Sequence, residues 1–252
     1  MQASLAQTLS QSRLMTGLPI DVMESLARNF EDVHDVPAGE VFKQSGEDPQ
    51  AAFLVHSGNV QVAEGRGLAE ETYAYTVGRG EMVGMPALLD GVVAIVEYRA
   101  AEDTTLAALP RAAFEEWLAA HPQYREPLSE NATLDHQYHL LRKSQLFSEL
   151  NAIDLYALVR ELAPFFEQHQ AGDHLFHEND PAEAAFLVAS GEYRLVKESA
   201  QDTAVATLSA GALTGLAGLL QHGKYNAALR VVSQAECWRL PRVQIEQLRS
   251  RS

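Results

Sequence analysis

Ala51-Ala52-Phe53-Leu54-Val55-His56-Ser57-Gly58-Asn59-Val60-Gln61-Val62 has a second version in the same chain, Ala184-Ala185-Phe186-Leu187-Val188-Ala189-Ser190-Gly191-Glu192-Tyr193-Arg194-Leu195. Each is a short apolar run, a Ser-Gly turn and an alternating run, the pattern of a β-hairpin with one buried face. Phe53 and Phe186 are 133 residues apart, as are Gly58 and Gly191, Ala38-Gly39 and Ala171-Gly172, and Asp21 and Asp154. Downstream the offset becomes 131, joining Gly80 to Gly211, Gly84 to Gly215, Leu88-Leu89 to Leu219-Leu220, and Arg99 to Arg230. Leu109-Pro110-Arg111 recurs at the same offset as Leu240-Pro241-Arg242. A steady register with one localised step, between about Glu64 and Gly80, predicts two tandem copies of one domain. The first copy then carries one loop that is two residues longer.

The 252 residues accommodate two such domains, and 46% hydrophobic with 21% charged residues is an ordinary globular composition. The formal net charge is -15, carried mainly by residues 1–130, with 8 basic and 20 acidic side chains against 11 and 14 in residues 131–252. Such a surface repels nucleic acid and anionic membranes, which need basic patches. No apolar run is long enough for a membrane span, and the first residues lack the basic-then-apolar order of a signal peptide. Cys237, the single cysteine, has no internal disulfide partner and lies in an apolar strand-like run, so a buried structural thiol is expected. A reducing, cytoplasmic setting fits these features.

Along the chain, residues 1–13 read as a polar helical lead-in and 14–30 as a helix with Pro19 in its first turn. Strands follow over 33–62 and 73–77, then a short helical turn over 85–89 after Gly78, Gly80 and Gly84. Strands over 92–100 and 104–109 lead through Pro110 into a helix that closes at His121-Pro122. The second copy repeats this order: a helix over 154–166, strands over 171–195 and 205–208, a Gly-punctuated segment over 211–218, strands over 227–240, and a last helix. The expected division is a lead-in (1–13), a first domain (14–122), a connecting helix (123–143) broken at Pro127, and a second domain (144–252). The fold class is mainly β with flanking helices.

A helix, about eight short strands with a small helix among the later ones, and a closing helix resemble the cyclic nucleotide-binding domain. The Phe-Leu-Val-x-Ser-Gly hairpin, the Gly-x-x-x-Gly segment and the Leu-Pro-Arg exit into the last helix carry the resemblance in both copies. It implies tandem jelly-roll-like β-rolls. Members that bind cAMP or cGMP carry a phosphate-binding cassette, roughly Gly-Glu-Leu/Ile-Ala-Leu followed by Arg-Ser/Thr-Ala. There the short helix offers backbone N–H groups to the phosphate, the Arg neutralises it, and the Glu accepts from the ribose hydroxyl. On that pattern the first copy keeps Gly84 but has Met85 for the Glu and Ala94-Ile95 for the Arg-Ser pair. The second keeps Gly215 but has Leu216, and Tyr225-Asn226. Both charged anchors are gone from both copies, so cAMP binding in the family's way is not expected. Lys224 flanks the second cassette and offers a positive charge, with Tyr225 and Asn226 as hydrogen-bond donors; a solvated loop lysine is the more ordinary outcome. Arg99 and Arg230 match the family's structural arginine.

No catalytic set emerges: Ser57-Gly58 and Ser190-Gly191 are turn residues, and no Walker loop or dinucleotide fingerprint occurs. His169, His174 and His177, with Glu178 and Asp180, form the densest potential metal cluster, but strand alternation sends His174 and His177 to opposite faces. His136 and His139, with Asp135, share one face of the connecting helix, and Leu134, Tyr138, Leu140 and Leu141 form an apolar stripe on it. That stripe is expected to join the two copies, with a homodimer seam the other use. No metal or cofactor is expected. Three functions are weighed: a regulatory, protein-binding module that has lost nucleotide binding; a sensor for a cyclic nucleotide or cyclic dinucleotide through a rewritten second cassette; and a cAMP-receptor-type transcription factor. The last needs a helix-turn-helix after the final β-roll, and none follows in this chain. A protein partner or a fused effector domain is implied by the first.

Overall fold

The two hairpins sit at equivalent places in two compact units, residues 1–135 and 136–252. The computed structural model describes residues 2–250, apart from 32, 45, 48–49, 65–72, 91–95, 148 and 222. The first unit contains β1 (His34–Val36), β2 (Val41–Lys43), β3 (Ala51–Ser57), β4 (Val60–Glu64), β5 (Tyr73–Val77), β6 (Met82–Val83), β7 (Val96–Ala100) and β8 (Thr104–Pro110). They form two antiparallel sheets, in the orders β1-β8-β3-β6 and β2-β7-β4-β5. In the second unit β9 (Phe166–His169), β10 (His174–Phe176), β11 (Ala184–Ser190) and β12 (Tyr193–Lys197) are followed by four more strands. These are β13 (Thr203–Leu208), β14 (Leu213–Thr214), β15 (Ala228–Val231) and β16 (Ala235–Pro241). Their orders, β9-β16-β11-β14 and β10-β15-β12-β13, repeat those of the first unit strand for strand.

The repeated Ser-Gly turn has a steric cause. Gly58 and Gly191 have φ of +81° and +76°, in the left-handed region. A Cβ on Gly58 would lie 2.6 Å from Thr104 Oγ1, and one on Gly191 would lie 2.5 Å from both Ala235 Cβ and Gln234 O. Only glycine meets both conditions. Beyond the turn the strands alternate: Val55, Val60, Val62, Tyr98 and Leu106 fill the first sandwich, while Leu54, Ala107 and Leu109 face its helices. The second sandwich is filled by Phe176, Phe186, Val188, Tyr193, Leu229 and Cys237. Burial of Cys237 agrees with the expected structural thiol.

The helices are α1 (Gln2–Leu9), α2 (Ile20–Ala27), α3 (Met85–Asp90), α4 (Arg111–Ala120), α5 (Arg125–Lys143), α6 (Ala152–Leu162), α7 (Leu216–Leu220) and α8 (Arg242–Ser250). Four expectations need correction. The lead-in is not a polar appendage: Leu5, Ala6 and Leu9 are buried against Leu26 and Met82 in the helical core of the first unit. The helix expected over 14–30 is a 3-10 turn at Arg13–Met15 and then α2, with Pro19 as the N-cap residue. The helix expected to reach residue 166 ends at Leu162, and Phe166 already belongs to β9. Pro127 does not break α5, because it is the third residue of the helix, where a backbone N–H has no partner within the helix anyway. Tyr138, Leu140 and Leu141 are buried. No helix among the described residues is long and apolar enough to cross a membrane.

Candidate functional site

In the second unit the cassette runs from β14 through α7 to β15. Gly215, with φ of +78°, is the N-cap of α7, and a Cβ there would meet Ala184 O at 3.0 Å and the Tyr225 ring at 3.1 Å. Leu216, in the place of the acidic residue, is half-buried and has no group that could accept from a hydroxyl. Tyr225, in the place of the arginine, turns inward. Its ring stacks on Phe176 with centroids 3.7 Å apart and planes 17° apart. Its hydroxyl donates to Ala184 O at 2.7 Å and accepts from Ala184 N at 3.1 Å. Burial pushes its pKa up, so it stays a neutral phenol.

The segment after α7 is pinned by its backbone. Gly223 N donates to Gly218 O at 3.0 Å, Ala182 N to Gly223 O at 3.0 Å, and Tyr225 N to Asp180 O at 2.9 Å. Asn179 N donates back to Tyr225 O at 2.9 Å. Lys224 bridges Pro181 by its backbone while its side chain is exposed. Asn226 is also exposed, and its carbonyl accepts from Lys197 Nζ at 2.6 Å. Lys197 also pairs with Glu178 at 2.6 Å. The hydrogen bond from Lys197, then those from Ser199, hold the Glu178 carboxyl down to about 2.

The equivalent segment of the first unit carries other residues. Met85 is fully buried in the helical core, and Gly84 presses on β3, a Cβ there lying 3.1 Å from Ala51 O. Ala94 and Ile95 lie outside the described residues. The inward phenol here is Tyr98, on β7. Burial pushes its pKa up, against a hydrogen bond from the Gly84 backbone. Phe42, at 5.9 Å, and Lys43 Nζ, at 5.5 Å from the ring centre, enclose it. Tyr98 carried no sequence signal beyond its alternating position. Its role depends on packing across the sandwich.

Arg99 pairs with Glu97 at 2.9 Å, and Arg230 with Asp202 at 3.0 Å, so both are held by carboxylates of their own unit. Asp135, His136 and His139 do not converge on one ligand. Asp135 accepts from Arg13 Nε at 2.7 Å, His136 meets Glu236 at 3.2 Å, and His139 is buried. The expectation that His174 and His177 face apart is overturned: their rings stack at 4.9 Å, 15° between planes, and both approach Glu198. β10 ends at Phe176, so strand alternation no longer governs residue 177. His169 is drawn away from them to Glu167 and Cys237. Separately, a cleft of about 570 Å³ lies among Leu146, Phe147, Leu158 and Leu248; none of its lining residues belongs to the cassette.

The family model for the cyclic nucleotide-binding domain matches residues 33–121 and 166–252, and the chain belongs to that family. A curated relative, the rat patatin-like phospholipase domain-containing protein 7, is 24% identical over 231 residues, which are 90% of this chain and 16% of the relative. The chain thus spans about a sixth of the relative's length. Among solved structures, the regulatory domain of Toxoplasma gondii PKA crystallised with cAMP is similar at 17% identity, over 98% of this chain and 92% of that one, with a TM-score of 0.45. The regulatory subunit of a cAMP-independent protein kinase A from Trypanosoma brucei is similar at 15% identity, over 98% and 84%, with a TM-score of 0.44.

Proposed function

We propose that this chain is a non-catalytic regulatory module whose two cyclic-nucleotide-type pockets are closed from within, and that it acts by binding protein. The observation that carries this is Tyr225. It stands in the place of the phosphate-binding arginine, yet its ring lies on Phe176 and its hydroxyl is taken by both backbone groups of Ala184. A cyclic phosphate entering there would have to displace a buried aromatic ring and would find no cation in return. Its desolvation would go uncompensated, at a cost of several kcal/mol. Leu216 and Met85 likewise supply no acceptor for a ribose hydroxyl, and in the first unit the buried Tyr98 takes a hydrogen bond from the Gly84 backbone. The relative named for a patatin-like phospholipase domain matches over only a sixth of its length, which supports a partner or fused effector domain as the target. The net charge of -15 argues against nucleic acid, and a cytoplasmic setting is part of the proposal.

One observation favours a second reading, a sensor with a rewritten cassette: the exposed Lys224 side chain makes no ion pair among the described residues. A thermal-shift screen with cAMP, cGMP, cyclic di-GMP and cyclic di-AMP separates the two. A ligand at one hundred times its Kd stabilises by about 2.7 kcal/mol, which is plainly visible as a melting shift. The closed-pocket reading expects no shift with any of them. A shift that Lys224→Ala abolishes would establish the sensor instead.

A further inference from the structure

We propose that Glu167, His169 and Cys237 form a binding site for one zinc-class divalent cation in the second domain. β9 and β16 run antiparallel with Cys237 directly opposite Glu167, and His169 lies two residues along β9 on the same face. Cys237 Sγ and His169 Nε2 are 3.6 Å apart, and His169 Nε2 and Glu167 Oε2 are 3.4 Å apart. All three donor atoms lie within 4.8 Å of one another. A tetrahedral zinc ion, with bonds of about 2.3 Å to sulfur and about 2.0–2.1 Å to nitrogen and oxygen, separates S from N by about 3.6 Å and N from O by about 3.4 Å. Two edges of the coordination polyhedron are therefore already at metal-binding length. The third closes by rotation of the Glu167 carboxylate, whose side chain is 39% exposed.

A second feature points to a ligand at the same place. The Tyr193 side chain is fully buried, and its hydroxyl is satisfied by no nitrogen or oxygen of the described residues. Its neighbour is the Cys237 thiol, whose ionised form the hydroxyl would stabilise by donating to it. A cation bound by His169 and Glu167 would displace the thiol proton to solvent and take the thiolate as its third ligand, and the Tyr193 hydroxyl would donate to the sulfur. A mixed S, N, O donor set with one thiolate selects zinc-like ions over magnesium and calcium, which take oxygen ligands. His174, His177 and Glu198 make a less favourable second cluster, because both histidines are exposed and Arg230 lies 3.8 Å from the same Glu198 oxygen.

Titrating the full chain with Co²⁺ tests the site. Cys237 is the sole cysteine, so a thiolate-to-cobalt charge-transfer band in the near ultraviolet can come from no other residue. The expected result is that band together with visible tetrahedral d–d bands, saturating at one cobalt per chain and displaced by Zn²⁺. His169→Ala and Glu167→Gln should each weaken Co²⁺ binding at least tenfold while circular dichroism stays unchanged, and His174→Ala/His177→Ala should leave it intact. The site is refuted if folded wild-type protein gives no thiolate band, if one cobalt binds per two chains, or if the His174/His177 variant alone loses binding.

Discussion

Tyr225→Phe removes one oxygen from the second cassette and nothing else. That oxygen satisfies both Ala184 O, at 2.7 Å, and Ala184 N, at 3.1 Å, in a buried position at the start of β11. Leaving a buried polar group unsatisfied costs about 1–3 kcal/mol, so a loss of about 2 kcal/mol from the second domain is expected. For a domain of this length each kcal/mol moves the melting temperature by roughly 4 °C, so a fall of roughly 8 °C should be seen by calorimetry. Tyr225→Ala also removes the ring stacked 3.7 Å from Phe176, and aromatic-to-alanine truncation costs about 3–5 kcal/mol. The order wild type, Phe variant, Ala variant is thus fixed, with the Phe variant near the middle. If Tyr225→Phe costs less than about 0.5 kcal/mol, the hydroxyl does not hold the pocket shut and the argument from closure fails.

Gly218→Ala should cost the second domain about 1–3 kcal/mol in urea denaturation, because a Cβ there would lie 2.8 Å from Lys224 O and 3.0 Å from Ala182 Cβ. Arg13→Ala should cost the first domain about 1–3 kcal/mol, since it leaves the half-buried carboxylates of Glu81 and Asp135 without their shared guanidinium. The His177–Glu198 pair should add stability in one pH window. The His177 pKa is raised above its ordinary 6.5, first by its hydrogen bond to Glu198, so its contribution is complete below 6.5 and is lost as pH rises through the raised value. The Glu198 pKa is lowered below its ordinary 4.5 by the same bond, so its contribution is complete above 4.5 and is lost as pH falls through the lowered value. Glu198→Gln should bring the His177 titration, followed by NMR, back toward 6.5, and an unmoved titration would discount the pair.

The tandem repeat and its strands were legible because the chain states them twice, and because Gly58 and Gly191 mark turns that no other residue fits. Loss of the charged anchors was equally plain from Met85 and Leu216. What the sequence hid was where the replacements point. Tyr225 suggested an open donor beside Lys224, but the free energy of burying its ring against Phe176 turns it inward. Tyr98 stood out in no motif, because its contact with Gly84 joins β7 to a turn in the other sheet. The histidine pair was misjudged for a local reason. Alternation holds for as long as a strand lasts, and β10 lasts three residues. Likewise Pro127 reads as a helix breaker until its place in the first turn of α5 is known.

The most direct test of the closed-pocket account is titration calorimetry of cAMP into the wild-type chain at millimolar ligand. The account predicts no saturable heat, since on the proposed reading Tyr225 closes the second cassette and neither cassette carries the family's arginine. A Kd below about 1 mM, roughly 4 kcal/mol of binding, would contradict it and would mean that Tyr225 leaves Phe176 to admit the nucleotide.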